Sequence, residues 1–302
     1  MDRLAFIPTR VFIALGVCVL ISAPVTRPVW GADEFAEKAL LVPHEDASTC
    51  LPVSVYDSFD GQTLSNVWQG ILLAPDALKI QSRIVRRGHG AAEITVHARD
   101  KFEPGANGDG DSERDELVEA KTLVAQTGDH CAYEYSFSIF LPKNFPIVPT
   151  RLVIAQWKQY CPGQLKLLHG STIAAKDSHI CSDNSPVLAI RYMANVLRVT
   201  QDINKKHTIL YQRKGEVLNR WLDFKFKVRF APYTDGRIEV WLNNKQVVNH
   251  RGATANPENA ATGYPSPSHY YFKMGLYRNV MDEPMTIYVD EYRKKSLPHG
   301  EF

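Results

Sequence analysis

Trp221-Leu-Asp-Phe-Lys-Phe-Lys-Val-Arg-Phe230 is the stretch that decides the fold. Its even positions are all apolar, whereas the odd positions from Asp223 to Arg229 are all charged. A period of two places the apolar side chains on one face of a β-strand and the charged side chains on the other. The stretch therefore predicts a strand with one face in a core and one face in water.

Similar short runs recur along the rest of the chain, separated by Gly, Pro, Asn and Asp. The predicted strands are Ala92–His97, Leu117–Val124, Tyr133–Leu141, Arg151–Lys158, Val187–Tyr192, Arg237–Leu242, Tyr270–Tyr277 and Thr286–Tyr292. Asp235-Gly236 and Asn243-Asn244 are predicted hairpin turns. Because no long stretch has a helical period, the pattern predicts an all-β sandwich of two antiparallel sheets.

The first 31 residues have the features of a secretory signal peptide. Arg3 and Arg10 come before or at the start of the apolar run 11–21, and Gly31 provides a small residue at a cleavage position. The apolar run is shorter than the roughly 20 residues that a membrane-spanning helix needs. We expect cleavage, with an uncleaved anchor as the alternative. The expected organisation is a signal peptide at 1–31, a leader segment at 32–55 and one domain at 56–302, secreted or periplasmic, without membrane attachment after cleavage.

Charge and cysteine content narrow the function further. Residues 1–31 hold three of the 35 basic and one of the 33 acidic residues, so the mature chain would have 32 of each. This balance argues against a general nucleic-acid binder. Cys50, Cys131, Cys161 and Cys181 would remain, an even number that predicts two disulfide bonds. Pairing Cys161 with Cys181, and Cys50 with Cys131, is favoured among three pairings, and we expect a monomer.

Two predicted strands carry polar residues opposite their apolar face. In 271–277 the residues that point away from the core are Tyr271, Lys273, Gly275 and Tyr277. In 114–118, Arg114 and Glu116 share a face. Aromatic rings can stack on sugars and cations can meet carboxylates, so such a face suits a polar, acidic polymer.

A third strand, 152–158, contributes to the same predicted surface. Val153, Ala155 and Trp157 are assigned to the core, which leaves Ile154, Gln156 and Lys158 on the opposite face.

These three strands resemble the signature segments of the jelly-roll polysaccharide lyases, which include alginate lyases, glucuronan lyases and heparin lyase I. In the alginate-lyase branch the segments read approximately R-x-E-L-R, Q-I-H and Y-F-K-A-G-x-Y-x-Q. Here they are Arg114-Asp-Glu-Leu117, Gln156-Trp-Lys158 and Tyr271-Phe-Lys-Met-Gly-Leu-Tyr-Arg-Asn279, in the same order. Residues 221–249 also resemble the back-sheet segment of the heparin lyase I and glucuronan lyase group.

The resemblance covers about residues 56–292 and implies a concanavalin A-like β-jelly-roll fold. It also implies a secreted lyase that cleaves a uronate-containing anionic polysaccharide, such as glucuronan, alginate or heparin, by β-elimination. Two positions depart from the pattern, because Lys158 replaces a histidine and Val118 replaces the second arginine. His169 is a candidate replacement for that histidine.

The resemblance implies catalytic roles for Arg114, Gln156, Lys158 and Tyr277. Lytic cleavage removes a proton alpha to a carboxylate, so the carboxylate must be neutralised, and Arg114, Gln156 and Lys158 are candidates for that task. Tyr277 is the preferred base and acid, and Lys158 is the alternative base. A tyrosine has an ordinary pKa near 10 and needs nearby cations, such as Lys273, to act as a base.

The predicted substrate-binding residues are Lys273, Tyr271, Arg191, Glu116 and Asn279. Arg191 is included because it points away from the apolar face of its strand. The expected partner is an anionic polysaccharide and not a nucleic acid.

No cofactor is expected to be required, and no metal is assigned to the reaction. Asp109-Gly-Asp111 with Glu113 is a weaker hypothesis for a structural calcium ion.

Two other functions are compatible with the pattern. One is a non-catalytic carbohydrate-binding protein of the same fold. The other is a glycoside hydrolase, which would need two carboxylates about 5 to 10 Å apart across the scissile bond. Glu113, Asp115 and Glu116 cluster in the sequence, but no E-x-D-x-x-E run is present.

Overall fold

The computed structural model describes residues 52–100, 112–126, 131–159, 185–203, 206–256, 269–298 and 300–302. The chain divides into two compact units, Met1–His44 and Glu45–Phe302, and all described residues lie in the second. The predicted signal peptide, nearly all of the leader segment, His169 and three of the four mature cysteines therefore lie outside the described residues. Across the described part of the chain, no helix is long and apolar enough to cross a membrane.

The described residues form strands almost throughout. They are β1 (Ser54–Asp57), β2 (Trp68–Leu72), β3 (Leu78–Gln81), β4 (Ala91–Val96), β5 (Ser112–Glu119), β6 (Ala125–Gln126), β7 (Ala132–Leu141), β8 (Leu152–Gln159), β9 (Leu188–Met193), β10 (Val196–Ile203), β11 (Lys206–Lys214), β12 (Arg220–Arg229), β13 (Arg237–Leu242), β14 (Lys245–Arg251), β15 (His269–Asn279) and β16 (Met285–Leu297). A 3-10 helix, Lys121–Leu123, lies between β5 and β6.

The strands form two antiparallel sheets. The first sheet has the order β14-β13-β12-β7-β16-β4-β3, with β1 paired to β16. The second has the order β11-β10-β9-β8-β15-β5-β2, with β6 paired to β15. Because β7, β8, β15 and β16 alternate between the sheets, the chain crosses repeatedly from one to the other. The predicted β-sandwich of jelly-roll type is confirmed.

The apolar faces of both sheets pack into one core. Trp157 of the second sheet has its ring centroid 4.6 Å from that of Phe226 in the first sheet and 4.8 Å from that of Phe272 beside it. All five apolar residues predicted on the core face of 221–230 are buried there. Burial of these rings removes large apolar surfaces from water, which is the main stabilising contribution to the sandwich.

The predicted turns and strand ends compare with the structure as follows. Asn243 and Asn244 adopt φ values of 50° and 65°, as expected in a two-residue hairpin between β13 and β14. The predicted strand Leu117–Val124 is wrong at both ends, since β5 begins at Ser112 and the chain turns into the 3-10 helix after Glu119.

A charged pair lies inside the core between the two sheets. Lys294 of the first sheet donates to Glu119 of the second over 2.9 Å, and both side chains are fully buried. The Tyr292 hydroxyl also donates to Glu119, over 2.6 Å. A buried carboxylate needs such partners, because an unpaired charge in a core is very costly.

Candidate active site

The candidate site lies on the outer face of the second sheet, across β5, β15, β8 and β9. Cross-strand register aligns Arg114 with Tyr277, Tyr277 with Val153, and Val153 with Arg191. One step along the strands, Lys273 is aligned with Gln156. Residues that are far apart in the sequence are thus gathered on one surface, as the alternation predicted.

Tyr277 is surrounded by positive charge. The guanidinium carbon of Arg114 lies 4.3 Å from the centroid of the Tyr277 ring, and that of Arg151 lies 4.6 Å from it. Both distances are within the range of a cation–π interaction. Sequence reasoning missed Arg151, although its position at the start of the strand that carries Gln156 was a usable signal.

Asn279 fixes Arg151. The Arg151 Nε donates to the Asn279 side-chain oxygen over 2.9 Å, and the Asn279 backbone N–H donates to the Arg151 carbonyl over 3.1 Å. The structure therefore gives Asn279, predicted to bind substrate, a contact that orients a second arginine at Tyr277.

A buried polar cluster lies beside Tyr277. Glu116 accepts a hydrogen bond from the Gln156 side-chain amide and a second, over 3.3 Å, from the Lys273 ammonium. The exposed fractions are 1% for Glu116 and 3% for both Gln156 and Lys273. The prediction that Glu116 contacts substrate is wrong in this geometry, because its carboxylate is below the surface and both oxygens already have donors.

The charge states of this cluster follow from its contacts. Burial raises the pKa of Glu116, but the charges of Lys273 and Arg114 and the hydrogen bond from Gln156 outweigh burial and hold the pKa below its ordinary value. Burial lowers the pKa of Lys273, and Arg114 adds to this effect, while Glu116 opposes it. The pair is an ionised carboxylate with an ammonium whose proton is held less tightly than in water.

Gly275 lets β5 approach β15 closely within the site. Its φ of 147° is in the region that favours glycine. A Cβ at this position would lie 2.7 Å from Glu116 Cα and would also collide with the Asp115 carbonyl. The glycine therefore allows Glu116 to reach the residues on the neighbouring strand.

A β-bulge corrects the predicted face of β8. The register shifts between Val153 and Ala155, so Ile154 packs in the core and Val153 does not. The assignment of Val153 to the core and Ile154 to the outer face was wrong, since an extra residue in one strand reverses the alternation. Gln156 lies after the bulge and keeps its predicted side.

Arg191 is held at the β9 side of the site. Its Nε donates to the Thr200 hydroxyl over 3.0 Å, and its NH2 donates to Asp202 over 3.4 Å. The other oxygen of Asp202 lies 2.8 Å from His207 Nδ1. Burial lowers the pKa of Arg191, whereas Asp202 raises it. Thr200, Asp202 and His207 were not predicted, because they belong to strands that the sequence did not reveal.

Lys158 and Tyr271 lie opposite each other on β8 and β15. Lys158 is half-buried, while Tyr271 is 8% exposed and packs with Leu72 and Val118. The predicted stacking of Tyr271 on a sugar is not what its buried ring provides.

Other acidic residues of β5 point away from this site. Glu113 is buried and pairs with Arg278 over 2.8 Å, and Asp115 accepts from the Ala74 backbone N–H over 2.6 Å. The two carboxylates are therefore not available to flank a scissile bond as the hydrolase alternative requires. Asp109 and Asp111 of the calcium hypothesis lie outside the described residues, and within those residues no group of three His, Cys, Asp or Glu could hold a metal ion.

The match to a family of known chemistry covers most of the chain. Residues 55–293 match the family model described as polysaccharide lyase. The chain belongs to this polysaccharide lyase family. No curated protein matches it in sequence. As a polysaccharide lyase it is an enzyme that acts on a polysaccharide, and the hydrolase and binding-only alternatives are set aside.

Solved structures agree with the fold of this polysaccharide lyase. An endo-β-1,4-glucuronan lyase from the fungus Trichoderma reesei is 18% identical, with a TM-score of 0.55, over 80% of this chain and 94% of that one. Alginate lyase AlgAT5 from polysaccharide lyase family 7 is 14% identical, with a TM-score of 0.48, over 74% and 84%. An alginate lyase from Corynebacterium sp. is 13% identical, with a TM-score of 0.47, over 74% and 82%.

Proposed function

We propose that this polysaccharide lyase cleaves a uronate-containing anionic polysaccharide, of glucuronan or alginate type, by β-elimination. The observation that carries the proposal is the Tyr277 ring with the guanidinium groups of Arg114 and Arg151 on it, at 4.3 and 4.6 Å. A phenol beside two cations, on a surface of polar residues, combines a proton-transfer group with the charges that an acidic sugar requires.

The reaction defines what each group must do. A base removes the C5 proton of the uronate, the electron pair forms the C4–C5 double bond, and the C4–O bond breaks. The leaving oxygen takes a proton, so protons and electrons balance without an oxidant or reductant. The negative charge that develops next to the carboxylate must be stabilised by fixed positive groups.

Arg114 is the proposed partner of that carboxylate. An arginine can offer two parallel N–H donors to a carboxylate. Gln156 has a second hydrogen on the amide nitrogen that donates to Glu116, and we assign this hydrogen to the uronate carboxylate. Glu116 and Lys273 act as positioning residues, since their mutual contact fixes the side chain of Gln156.

Tyr277 is the proposed base and acid. Positive charge beside a phenol favours loss of its proton, and the same hydroxyl can return a proton to the leaving oxygen. Lys158 is the competing base. It lies two residues beyond Gln156 on the same strand, roughly 7 Å along the chain, and would need to lose its proton before it could act.

The experiment is a panel of glucuronan, alginate, heparin, hyaluronan and a neutral glucan, with absorbance of unsaturated uronate ends and total reducing ends recorded together. Tyr277→Phe removes the hydroxyl and retains the ring on which both arginines stack. We expect activity on one acidic polymer to fall at least about 100-fold in this variant, the lower range for loss of a proton-transfer group.

Tyr233→Phe is the matched control, since Tyr233 is 68% exposed and remote from the site in the sequence. Full activity in Tyr277→Phe combined with its loss in Lys158→Met would transfer the base to Lys158. Reducing ends without absorbance would overturn β-elimination, and binding without any new ends would overturn catalysis.

We also propose a secreted or periplasmic location. Cys131 is disulfide-bonded, which supports an oxidising compartment, although its partner lies outside the described residues. Mass analysis of the protein purified from its native source tests this proposal. A chain that begins after Gly31 is the expected result, and a chain that retains residues 1–31 would contradict it.

A further inference from the structure

The outer face of the first sheet, on the opposite side of the sandwich from Tyr277, carries a concentration of positive charge. Register places Lys225 and Arg293 on either side of β7, and Lys227 and Lys295 one row further along. The following row aligns Arg229 with Arg237 on the next strand. The cationic face, as we name it, consists of Lys225, Lys227, Arg229, Arg237, Arg251, Arg293 and Lys295.

These side chains point away from the core. Phe224, Phe226 and Val228 alternate with them on β12 and are buried between the sheets. The cationic face is therefore the outward side of the strand, and the charged rows are open to a ligand in solution.

Acidic residues neutralise only part of this charge. Lys295 lies 3.6 Å from Glu134, Arg293 lies 3.6 Å from Glu291, and Arg237 pairs with Glu239. Within the ranges that the structure describes, no residue forms an ion pair with Lys225, Lys227, Arg229 or Arg251. The face thus has a net positive charge, although basic and acidic residues are balanced over residues 32–302.

Aromatic rings lie among the cations. The Lys225 ammonium is 4.3 Å and the Lys227 ammonium 6.0 Å from the centroid of the half-buried Trp241 ring. At the β1 side, Tyr56 is 48% exposed and the Arg293 guanidinium carbon lies 4.2 Å from its ring. Cations combined with aromatic rings are also what surrounds Tyr277 on the other sheet.

We propose that the cationic face is a second, non-catalytic binding surface for an anionic polysaccharide. Cations on either side of β7 are about 10 Å apart, two strand separations, and continue from β16 to β14. An extended polymer with a carboxylate on successive sugars can follow such rows across the strands. Charge complementarity favours a polyanion, and the rings favour one made of sugars. The choice of a uronate polymer rests on the proposed function.

The test compares Lys225→Glu/Lys227→Glu with Lys225→Arg/Lys227→Arg. Lys143→Glu/Lys214→Glu is the matched control, because it makes the same change in net charge at two exposed lysines outside the face. Binding of each to the long acidic polymer is measured in a Tyr277→Phe background, which prevents cleavage. Activity of the Tyr277 forms is measured on that polymer and on its short oligosaccharides.

The Glu pair on the cationic face should weaken binding of the long polymer at least about tenfold, with a smaller difference at high salt because exposed charges are screened. The Arg pair should bind like the parent, and turnover of short oligosaccharides should be unchanged in all of them. Equal weakening in the control pair, or unchanged binding in the Glu pair, would overturn the proposal. Equal affinity for nucleic acid would overturn the assignment to a polysaccharide.

Failure of the proposed function gives a different result. In that case no polymer yields unsaturated ends with the parent protein, while the binding comparison still reports on the cationic face.

Discussion

At the residue scale, Glu116 has the greatest influence on the site for a group that cannot reach the substrate. It holds both Gln156 and Lys273 and lies beside Arg114, which also contributes to its ionisation. A buried carboxylate that binds two neighbours sets their positions more firmly than exposed partners could, because water does not compete for it.

Glu116→Gln is expected to leave the Lys273 ammonium buried without its counter-ion. Loss of one partner of a buried ion pair costs about 3–5 kcal/mol of stability. Denaturant unfolding should show this loss, and lyase activity should fall with it.

Glu116→Gln/Lys273→Met separates the charge from the position. This double variant should be more stable than Glu116→Gln alone, because it holds no unpaired charge. An unchanged unfolding midpoint in the single variant would show that the contact is energetically neutral.

Several site residues could be predicted singly, but their contacts could not. Alternation along β15 and β5 placed Tyr277 and Arg114 on one face, and the structure confirms that face. The second guanidinium on Tyr277 depends on Arg151, which precedes β8, and on the cross-strand bond to Asn279. Such contacts depend on the register between strands, which a single sequence does not specify.

At the element scale, the bulges in β8 and β15 decide which side chains meet. Alternation predicts faces correctly only where a strand has no extra residue. In β8 it failed at Val153 and Ile154 and succeeded again at Gln156, after the register shift. In β15 the shift between Met274 and Tyr277 includes Gly275, so the glycine marks the irregularity.

Gly275→Ala tests whether this bulge is required. The new Cβ would meet backbone atoms of Asp115 and Glu116, which cannot move aside as a flexible side chain could. We expect a loss of stability of more than about 1 kcal/mol and a larger loss of activity than of secondary structure. Circular dichroism melting and the absorbance assay measure the two effects.

Gly61→Ala is the control, since a Cβ there would lie 3.4 Å from the nearest atom, the Thr63 carbonyl oxygen. Equal melting temperatures for the Gly275 and Gly61 variants would contradict a steric requirement at the bulge.

At the scale of the whole molecule, the period of two was sufficient to predict a sandwich because most of its strands bury one face. The same reasoning treats every charged residue as outward and therefore missed Glu119 and Lys294, which meet inside the core from opposite sheets. Their burial is possible because each supplies the other's counter-charge. That match depends on the packing of two strands more than 170 residues apart in the chain.

Asp115 links the stability of the molecule to pH. Burial raises its pKa from an ordinary 3.8 to about 8, and the nearby carboxylates of Asp100 and Glu116 add to the effect that the Ala74 N–H opposes. Between pH 4 and 8 the folded chain keeps a proton that the unfolded chain has released. Stability from this group is therefore complete below pH 4 and is lost as pH rises to 8.

Asp115→Asn should remove this dependence, because the side-chain oxygen can still accept from Ala74 and the amide replaces the protonated oxygen. Relative to the parent, the variant should gain up to about 1.4 kcal/mol per pH unit from pH 5 to 8, roughly 3 °C per unit for a domain of this size. Thermal unfolding across this range measures the gain, with exposed Asp76→Asn as control. A constant difference between Asp115→Asn and the parent at every pH would show that Asp115 is already ionised in the folded chain, with Ala74 and its other neighbours able to hold the charge.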